Sequence, residues 1–121
     1  MAADAFSRTS FDHVGFIALR KPDNAIFSSS ARLWVTNPRL SQANIEWLWP
    51  EPDCTIEPIL ITRPHVAYRV ENLDKAIQGQ KIIEEPSSVG NGFMRVAFIE
   101  FEGGILELLE YANPAETGWF L

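Results

Sequence analysis

The chain contains only two histidines, and each can be matched with a glutamate that lies among apolar residues further along the sequence. His13 is matched with Glu46, 33 residues on, and His65 with Glu107, 42 residues on. Imidazole nitrogens and carboxylate oxygens are ligands for divalent zinc, nickel, cobalt, manganese or iron. Four such ligands leave room for one or two waters on the ion, as a catalytic metal requires. The pattern predicts a metal site formed by these four residues.

The surroundings of the four residues bear on this hypothesis. Side chains on a strand alternate between its two faces, so His13 shares a face with Gly15 and Ile17, and Glu107 shares one with Leu109. If those faces line the inside of a curved sheet, the carboxylates are unfavourable unless they are paired or bind a cation. A single histidine beside a strand is more often a core or surface residue than a ligand. Two matched pairs of a histidine and a glutamate favour the metal-ligand interpretation over that of core or surface residues.

The matching arises from an internal repeat. Segment 12–16 aligns with 64–68, segment 32–35 with 95–98, and segment 45–48 with 106–109. The first copy is nine residues shorter between its histidine and its glutamate, and the deficit falls where the second copy has its helix. The first copy is therefore expected to have lost most of that helix.

Apolar runs and turn residues indicate the elements that must position these side chains. Strands are predicted at 11–19, 31–36, 44–49, 63–70 and 81–85, followed by a hairpin over 93–111; the helix is predicted from Asn72 to Gly79, and 20–30 and 86–92 are predicted loops. The chain is expected to form one domain with a flexible lead-in (1–10), a shortened first module (11–50), a proline-rich linker (51–62), a second module (63–111) and an apolar tail (112–121). Ile59 to Ile61 in the linker is expected to form a short strand or an apolar plug. The tail is expected to dock on the body or on a second subunit.

Composition limits the class of protein. A length of 121 residues with 46% apolar residues indicates a single folded domain and excludes disorder. A net charge of -6 without a basic cluster argues against nucleic acid or an acidic membrane as the main partner. No apolar run approaches the roughly 20 residues of a bilayer span, and the first ten residues lack a signal-peptide core. With Cys54 as the only cysteine, no internal disulfide can form, and a cytoplasmic protein is expected.

Two stretches carry a resemblance to a known family: 65–70 with 72–76, and the closing segment 104–110. They resemble the vicinal oxygen chelate superfamily, which includes glyoxalase I, methylmalonyl-CoA epimerase, extradiol dioxygenases and bleomycin-resistance proteins. The resemblance implies an α+β fold in which two βαβββ modules form a curved mixed sheet, the glyoxalase-like fold. The first module would lack its helix and one strand. The implied metal ligands are His13, Glu46, His65 and Glu107, with Glu51 as an alternative to Glu46 because the first module is short.

The resemblance is closest in character to glyoxalase-like and epimerase-like members, and it implies a metal-dependent lyase or isomerase. The substrate would be a small carbonyl compound whose enediolate is stabilised by the metal as a Lewis acid. His13, His65 and Glu107 would anchor the metal, and Glu46 would move the proton, so Glu46 and Glu107 are the catalytic candidates. Arg69 shares a face with His65 and would bind an anionic substrate group or form a surface salt bridge.

A second hypothesis is a metal-free protein of the same fold that sequesters an aromatic or cationic small molecule. Trp34, Trp47, Trp49 and Phe98 would line its cup and the acidic charge would favour a cation, although core packing explains the same aromatic residues. A third is a module that works only with a partner; a homodimer is expected. The sequence identifies neither the substrate nor the metal.

Overall fold

A single mixed sheet of eight strands forms the body of the protein in the computed structural model, which describes residues 6–115. The strands are β1 (Phe11–Ile17), β2 (Ile26–Ser28), β3 (Leu33–Val35), β4 (Ile45–Pro50), β5 (His65–Arg69), β6 (Lys81–Val89), β7 (Met94–Phe101) and β8 (Gly104–Tyr111). One α-helix, α1 (Leu73–Ala76), and three 3-10 turns (Arg8–Ser10, Pro38–Leu40 and Pro58–Ile61) complete the described elements.

The strand order β2-β3-β4-β1-β5-β8-β7-β6 divides the sheet into two modules of four strands. In each module the first strand pairs in parallel with the last, β1 with β4 and β5 with β8, and the other pairs are antiparallel. The modules join where β1 pairs antiparallel with β5. This curled α+β sheet of two similar modules, the first without its helix, confirms the predicted fold class.

Helix α1 covers one face of the second module. Asn72 caps its start, because the side-chain oxygen accepts from the Lys75 backbone N–H at 3.0 Å. Its buried residues pack in a cluster that includes Val70, Leu73, Ala76, Ala97, Ile99 and Leu108. The helix ends three residues earlier than the predicted Gly79, which lies at φ +76 in the turn that follows. This packing leaves the opposite face of the second module free to hold the functional side chains.

Among the described residues, no helix covers the corresponding face of the first module. Phe16 and Trp47 are register partners there, with ring centroids 5.8 Å apart and 36% and 37% of their surface exposed. On the other face Leu33, Val35 and Leu48 form a small core, against which Cys54 and Ile61 pack. The linker is thus an apolar plug rather than a strand: Leu60, in the turn Pro58–Ile61, is 3% exposed.

Two predictions about strands are wrong. Ile26–Ser28 is a strand inside the predicted loop 20–30, so the first module has lost its helix but not a strand. β6 continues to Val89, through half of the predicted loop 86–92. In both places pairing with a neighbouring strand overrides turn composition, and Pro86 is tolerated because β6 lies at the edge of the sheet.

The two ends of the chain are only partly described. Phe6, in the predicted lead-in, packs its ring 5.4 Å from those of Tyr68 and Phe101. The predicted apolar tail is described as far as Ala115, and its closing tryptophan and phenylalanine lie outside the described residues. Within 6–115 no helix has the length and apolarity needed to cross a membrane.

Candidate metal centre

The structure brings the four predicted ligands together in the interior. His13, Glu46, His65 and Glu107 each offer one ligand atom, and these four atoms all lie within 4.8 Å of one another. The histidines are 0% and 3% exposed, and both glutamates are 8% exposed. The cluster contains Glu46 rather than the alternative Glu51, whose Oε1 accepts a hydrogen bond from Trp34 Nε1 at 2.9 Å.

The register of the sheet explains why the four residues converge. On β1, the position two residues after His13 is Gly15, which pairs with Glu46 of β4. On β5, the position two residues after His65 is Ala67, which pairs with Glu107 of β8. The antiparallel pair β1 and β5 then places Gly15 opposite His65 and Ala67 opposite His13. The internal repeat found in the sequence is therefore a repeat of strand register, which gives each module an equivalent pair of a histidine and a glutamate.

The small residues opposite the histidines provide the space for the cluster. A Cβ atom added to Gly15 would lie 2.2 Å from His65 Cε1, 2.5 Å from Nε2 and 2.8 Å from Nδ1. No side chain can therefore occupy position 15 while His65 keeps its place. Glycine inside a strand is a sign of such close approach, so this positioning role could have been found from the sequence.

The spacing of the ligand atoms fits a shared cation. His13 Nε2 lies 3.4 Å from Glu107 Oε1 and 3.6 Å from Glu46 Oε1. His65 Nε2 lies 3.4 Å and 3.8 Å from the same two oxygens. Ligand atoms bound at about 2.1 Å to one tetrahedral ion are about 3.4 Å apart. The four distances are longer than hydrogen bonds and close to that separation, so the donor set suits a divalent ion.

In the part of the chain that the structure describes, both ring nitrogens of His65 and the Oε1 atom of Glu107 have no hydrogen-bond partner. Such buried polar atoms are unfavourable unless something binds them. Burial would raise the pKa of Glu107, but the facing His13 and His65 imidazoles hold it well below its usual range. Burial would likewise lower the pKa of His13, and Asp12, Glu107 and Glu46 raise it instead. In the metal-free protein His13 thus favours its protonated form and Glu107 its ionised form, and a bound cation would take the place of that proton.

Asp12 is a residue that the sequence reasoning missed. Strand alternation predicts that it faces away from His13, yet its Oδ1 lies 2.6 Å from His13 Nδ1. The cause is a β-bulge: Phe11 pairs with Tyr68 and His13 with the adjacent Ala67, so Asp12 is an extra residue on β1. The only signal in the sequence was that an aspartate stands directly before the histidine.

The predicted substrate-binding residues do not all lie beside the cluster. Phe98 does: it pairs with Glu107, and its ring meets that of His65 edge to face at a centroid distance of 5.3 Å. Arg69 Nε donates to Asp12 Oδ2 at 2.9 Å, behind His13. Trp47 follows the buried Glu46 in β4 and contacts Phe16, so it lies on the opposite face.

Trp34 and Trp49, the other two tryptophans of the predicted cup, share that opposite face. Trp34 pairs with Trp49, which stands two residues after Trp47 in β4. The Trp34 ring packs at 5.0 Å from Phe27 and carries Lys21 Nζ 3.6 Å above it. The structure therefore does not bring Trp34, Trp47 or Trp49 to the cluster.

Comparison with solved structures identifies the architecture. Methylmalonyl-CoA epimerase from Mycobacterium tuberculosis superposes with a TM-score of 0.61 at 21% identity, covering 87% of this chain and 89% of that one. The fold is glyoxalase-like. The hypothetical protein BH1468 from Bacillus halodurans C-125 superposes with a TM-score of 0.60 at 20% identity, covering 88% and 96% of the two chains. No protein-family model matches the sequence, and no curated protein matches it.

Proposed function

We propose that the protein is a metal-dependent lyase or isomerase of the glyoxalase and epimerase type, which acts on a small substrate with a carbonyl group. The observation that carries the proposal is the convergence of two buried imidazoles and two buried carboxylates, one pair from each module, with the spacing of metal ligands. The resemblance in fold to an epimerase supports the same reaction class.

In this proposal His13, His65 and Glu107 would anchor the cation. Glu107 Oε1 lies 3.4 Å from both imidazole Nε2 atoms, whereas Glu46 Oε1 lies 3.6 Å and 3.8 Å from them. A divalent ion bound there would stabilise negative charge that develops on the substrate oxygen. Glu46, whose Oε1 lies further from both imidazoles, is the base that takes the proton from the carbon next to the carbonyl and returns it.

The surroundings of the cluster suit this chemistry. Phe98 forms an apolar wall beside His65, and Met94, Val96 and Leu109 continue it along the same side of the sheet. An apolar wall excludes water and strengthens the electrostatic interactions between the substrate and the charged groups. Each glutamate side chain is 10% exposed, so both carboxylates remain within reach of a bound substrate.

Exchange of a substrate proton with solvent tests the proposal without knowledge of the final product. The protein, loaded in turn with zinc, nickel, cobalt, manganese or iron(II), would be incubated in D2O with methylmalonyl-CoA and with a 2-oxoaldehyde hemithioacetal. We expect deuterium to enter the carbon next to a carbonyl in a metal-dependent way, measured by NMR. Glu46→Gln should bind metal but not catalyse exchange. Absence of metal binding in the wild type would contradict the proposal.

The alternative function is that of a metal-free binding protein, and the same experiments distinguish it from a metal-dependent enzyme. Its predicted cup of tryptophans finds no support, because Trp34 and Trp47 lie on the face opposite the cluster. Saturable binding of a cationic aromatic compound to a protein that takes up no metal would favour it.

We also propose a homodimer, for which the exposed Phe16 and Trp47 offer an apolar surface. Light scattering at two concentrations tests the assembly.

A further inference from the structure

Asp12 stands at the centre of a buried hydrogen-bond network behind the metal centre. Its side chain is 0% exposed, and its Oδ1 lies 2.6 Å from His13 Nδ1. Three donors converge on Oδ2: Arg39 Nη2 at 2.7 Å, Arg69 Nε at 2.9 Å and the Tyr111 hydroxyl at 3.0 Å. The four donors come from β1, the turn Pro38–Leu40, β5 and β8, so the network joins both modules.

The chemistry of the donors fixes where the protons lie. Guanidinium groups can only donate, so Oδ2 must accept from Arg39 and Arg69, and these two positive charges favour the ionised carboxylate. An ionised carboxylate has no proton to give, so Oδ1 accepts from a protonated Nδ1 of His13. That leaves Nε2 as the nitrogen that faces the glutamates, 3.4 Å from Glu107 and 3.6 Å from Glu46.

The repeat-related histidine has no such support. Pro64 occupies the position that corresponds to Asp12, and His65 Nδ1 has no hydrogen-bond partner among residues 6–115. His65 is instead confined by the edge-to-face contact with Phe98 and by the close approach of Gly15. The two modules therefore hold equivalent ligands by different means, one by a hydrogen bond and the other by packing.

We propose that Asp12 is a positioning residue: it keeps a proton on Nδ1 of His13 and thereby presents the lone pair of Nε2 to the divalent cation. This inference rests on the metal site proposed above. Carboxylates that accept from a ligating imidazole commonly fix its orientation and tautomer, and their loss lowers metal affinity about 10- to 100-fold. Arg39, Arg69 and Tyr111 hold the carboxylate in the orientation that this role needs.

The substitution Asp12→Asn tests the tautomer directly. Because three donors point at the Oδ2 position, the amide oxygen is expected there and the amide NH2 is expected to face His13. Nδ1 must then accept, the ring proton moves to Nε2, and the cation loses its ligand. We expect at least a 100-fold loss of zinc affinity. Asp12→Ala removes the acceptor without imposing a donor and is expected to lose about 10-fold.

The matched control is Asp53→Asn, the same change in an exposed carboxylate that pairs with Arg32 at 2.8 Å. Its zinc affinity should equal that of the wild type. Thermal unfolding of the metal-free proteins shows how much each substitution destabilises the fold, and so distinguishes a structural role of Asp12 from a positioning role. A structural role predicts that the truncation to alanine is at least as damaging to metal binding as the change to asparagine. The positioning role predicts that the change to asparagine damages metal binding more than the truncation to alanine.

Nitrogen NMR reads the proton positions without activity or metal. The chain has two histidines, so a long-range 1H–15N spectrum of the metal-free protein is simple, and His65→Asn assigns it. We expect a proton on Nδ1 of His13 in the wild type and in Asp53→Asn, and a proton on Nε2 with a bare Nδ1 in Asp12→Asn.

A bare Nδ1 in the wild type overturns the inference, even if no variant folds. So does an Asp12→Asn protein with unchanged proton positions and unchanged zinc affinity. If the wild type binds no divalent metal, the proposed function fails, while the spectra of the metal-free wild type and of Asp12→Asn still decide whether Asp12 keeps the proton on Nδ1.

Discussion

Gly15→Ala is the substitution whose effect follows most directly from the distances in the site. The new methyl group would lie 2.2 Å from His65 Cε1 and 2.5 Å from Nε2. Carbon atoms in contact are about 3.5 Å apart or more, so the imidazole must retreat by roughly 1.3 Å. That movement displaces Nε2 from its position 3.4 Å from Glu107.

The expected loss concerns metal affinity more than folding. Overpacking costs about 1–3 kcal/mol, and replacing glycine in a strand recovers about 0.5–1 kcal/mol of that. The protein should therefore fold, with zinc affinity reduced by about 10- to 100-fold through the displaced ligand. Isothermal titration of zinc into the metal-free protein measures the affinity, and circular dichroism checks the fold.

Gly104→Ala is the matched control. Gly104 also lies in a strand, and a Cβ atom there would meet only the Phe101 carbonyl oxygen at 3.7 Å, an ordinary contact. Its zinc affinity should be that of the wild type. Equal zinc affinities for the two glycine variants would refute the reasoning that position 15 is kept empty for His65.

Three further predictions concern the same cluster. Zinc at 100 times its dissociation constant should stabilise the protein by about 2.7 kcal/mol and raise its melting temperature by roughly 10 °C; a melting temperature that does not respond to zinc would contradict the site. Glu107→Gln should lose metal binding and deuterium exchange together. Glu46→Gln should keep a metal affinity within about tenfold of the wild type and lose exchange. The opposite pattern in metal titrations and deuterium exchange would reverse the two roles. The pKa of Glu107 lies below its ordinary value of 4.5, so its carboxylate stabilises the metal-free fold above that pH and the contribution is lost as the pH falls. Urea unfolding of metal-free Glu107→Gln should accordingly show a weaker loss of stability towards acid than the wild type, and equal slopes would argue against it.

The sequence was sufficient for the parts of the fold and site that depend on pattern and repetition. Two histidines at matched positions and two glutamates in matched apolar runs predicted the four residues of the cluster, because strand register repeats with the sequence.

The rest depends on long-range geometry. Ile26–Ser28 has turn-like neighbours, and only pairing with β3 makes it a strand. Trp34 lies on the face opposite the cluster because it pairs with Trp49, two residues after Trp47. For Trp47 itself, alternation from the adjacent Glu46 was already readable in the sequence. Asp12 reaches His13 through a bulge, whose position is fixed by pairing with β5 and has no local sequence signal.

X-ray absorption spectroscopy of the zinc-loaded protein tests the central claim most directly. The account predicts one ion per chain with nitrogen and oxygen ligands at about 2.0–2.2 Å and the scattering of two imidazoles, reduced to one in His65→Ala and in His13→Ala. A chain that takes up no stoichiometric zinc, or a spectrum unchanged by either substitution, would contradict it.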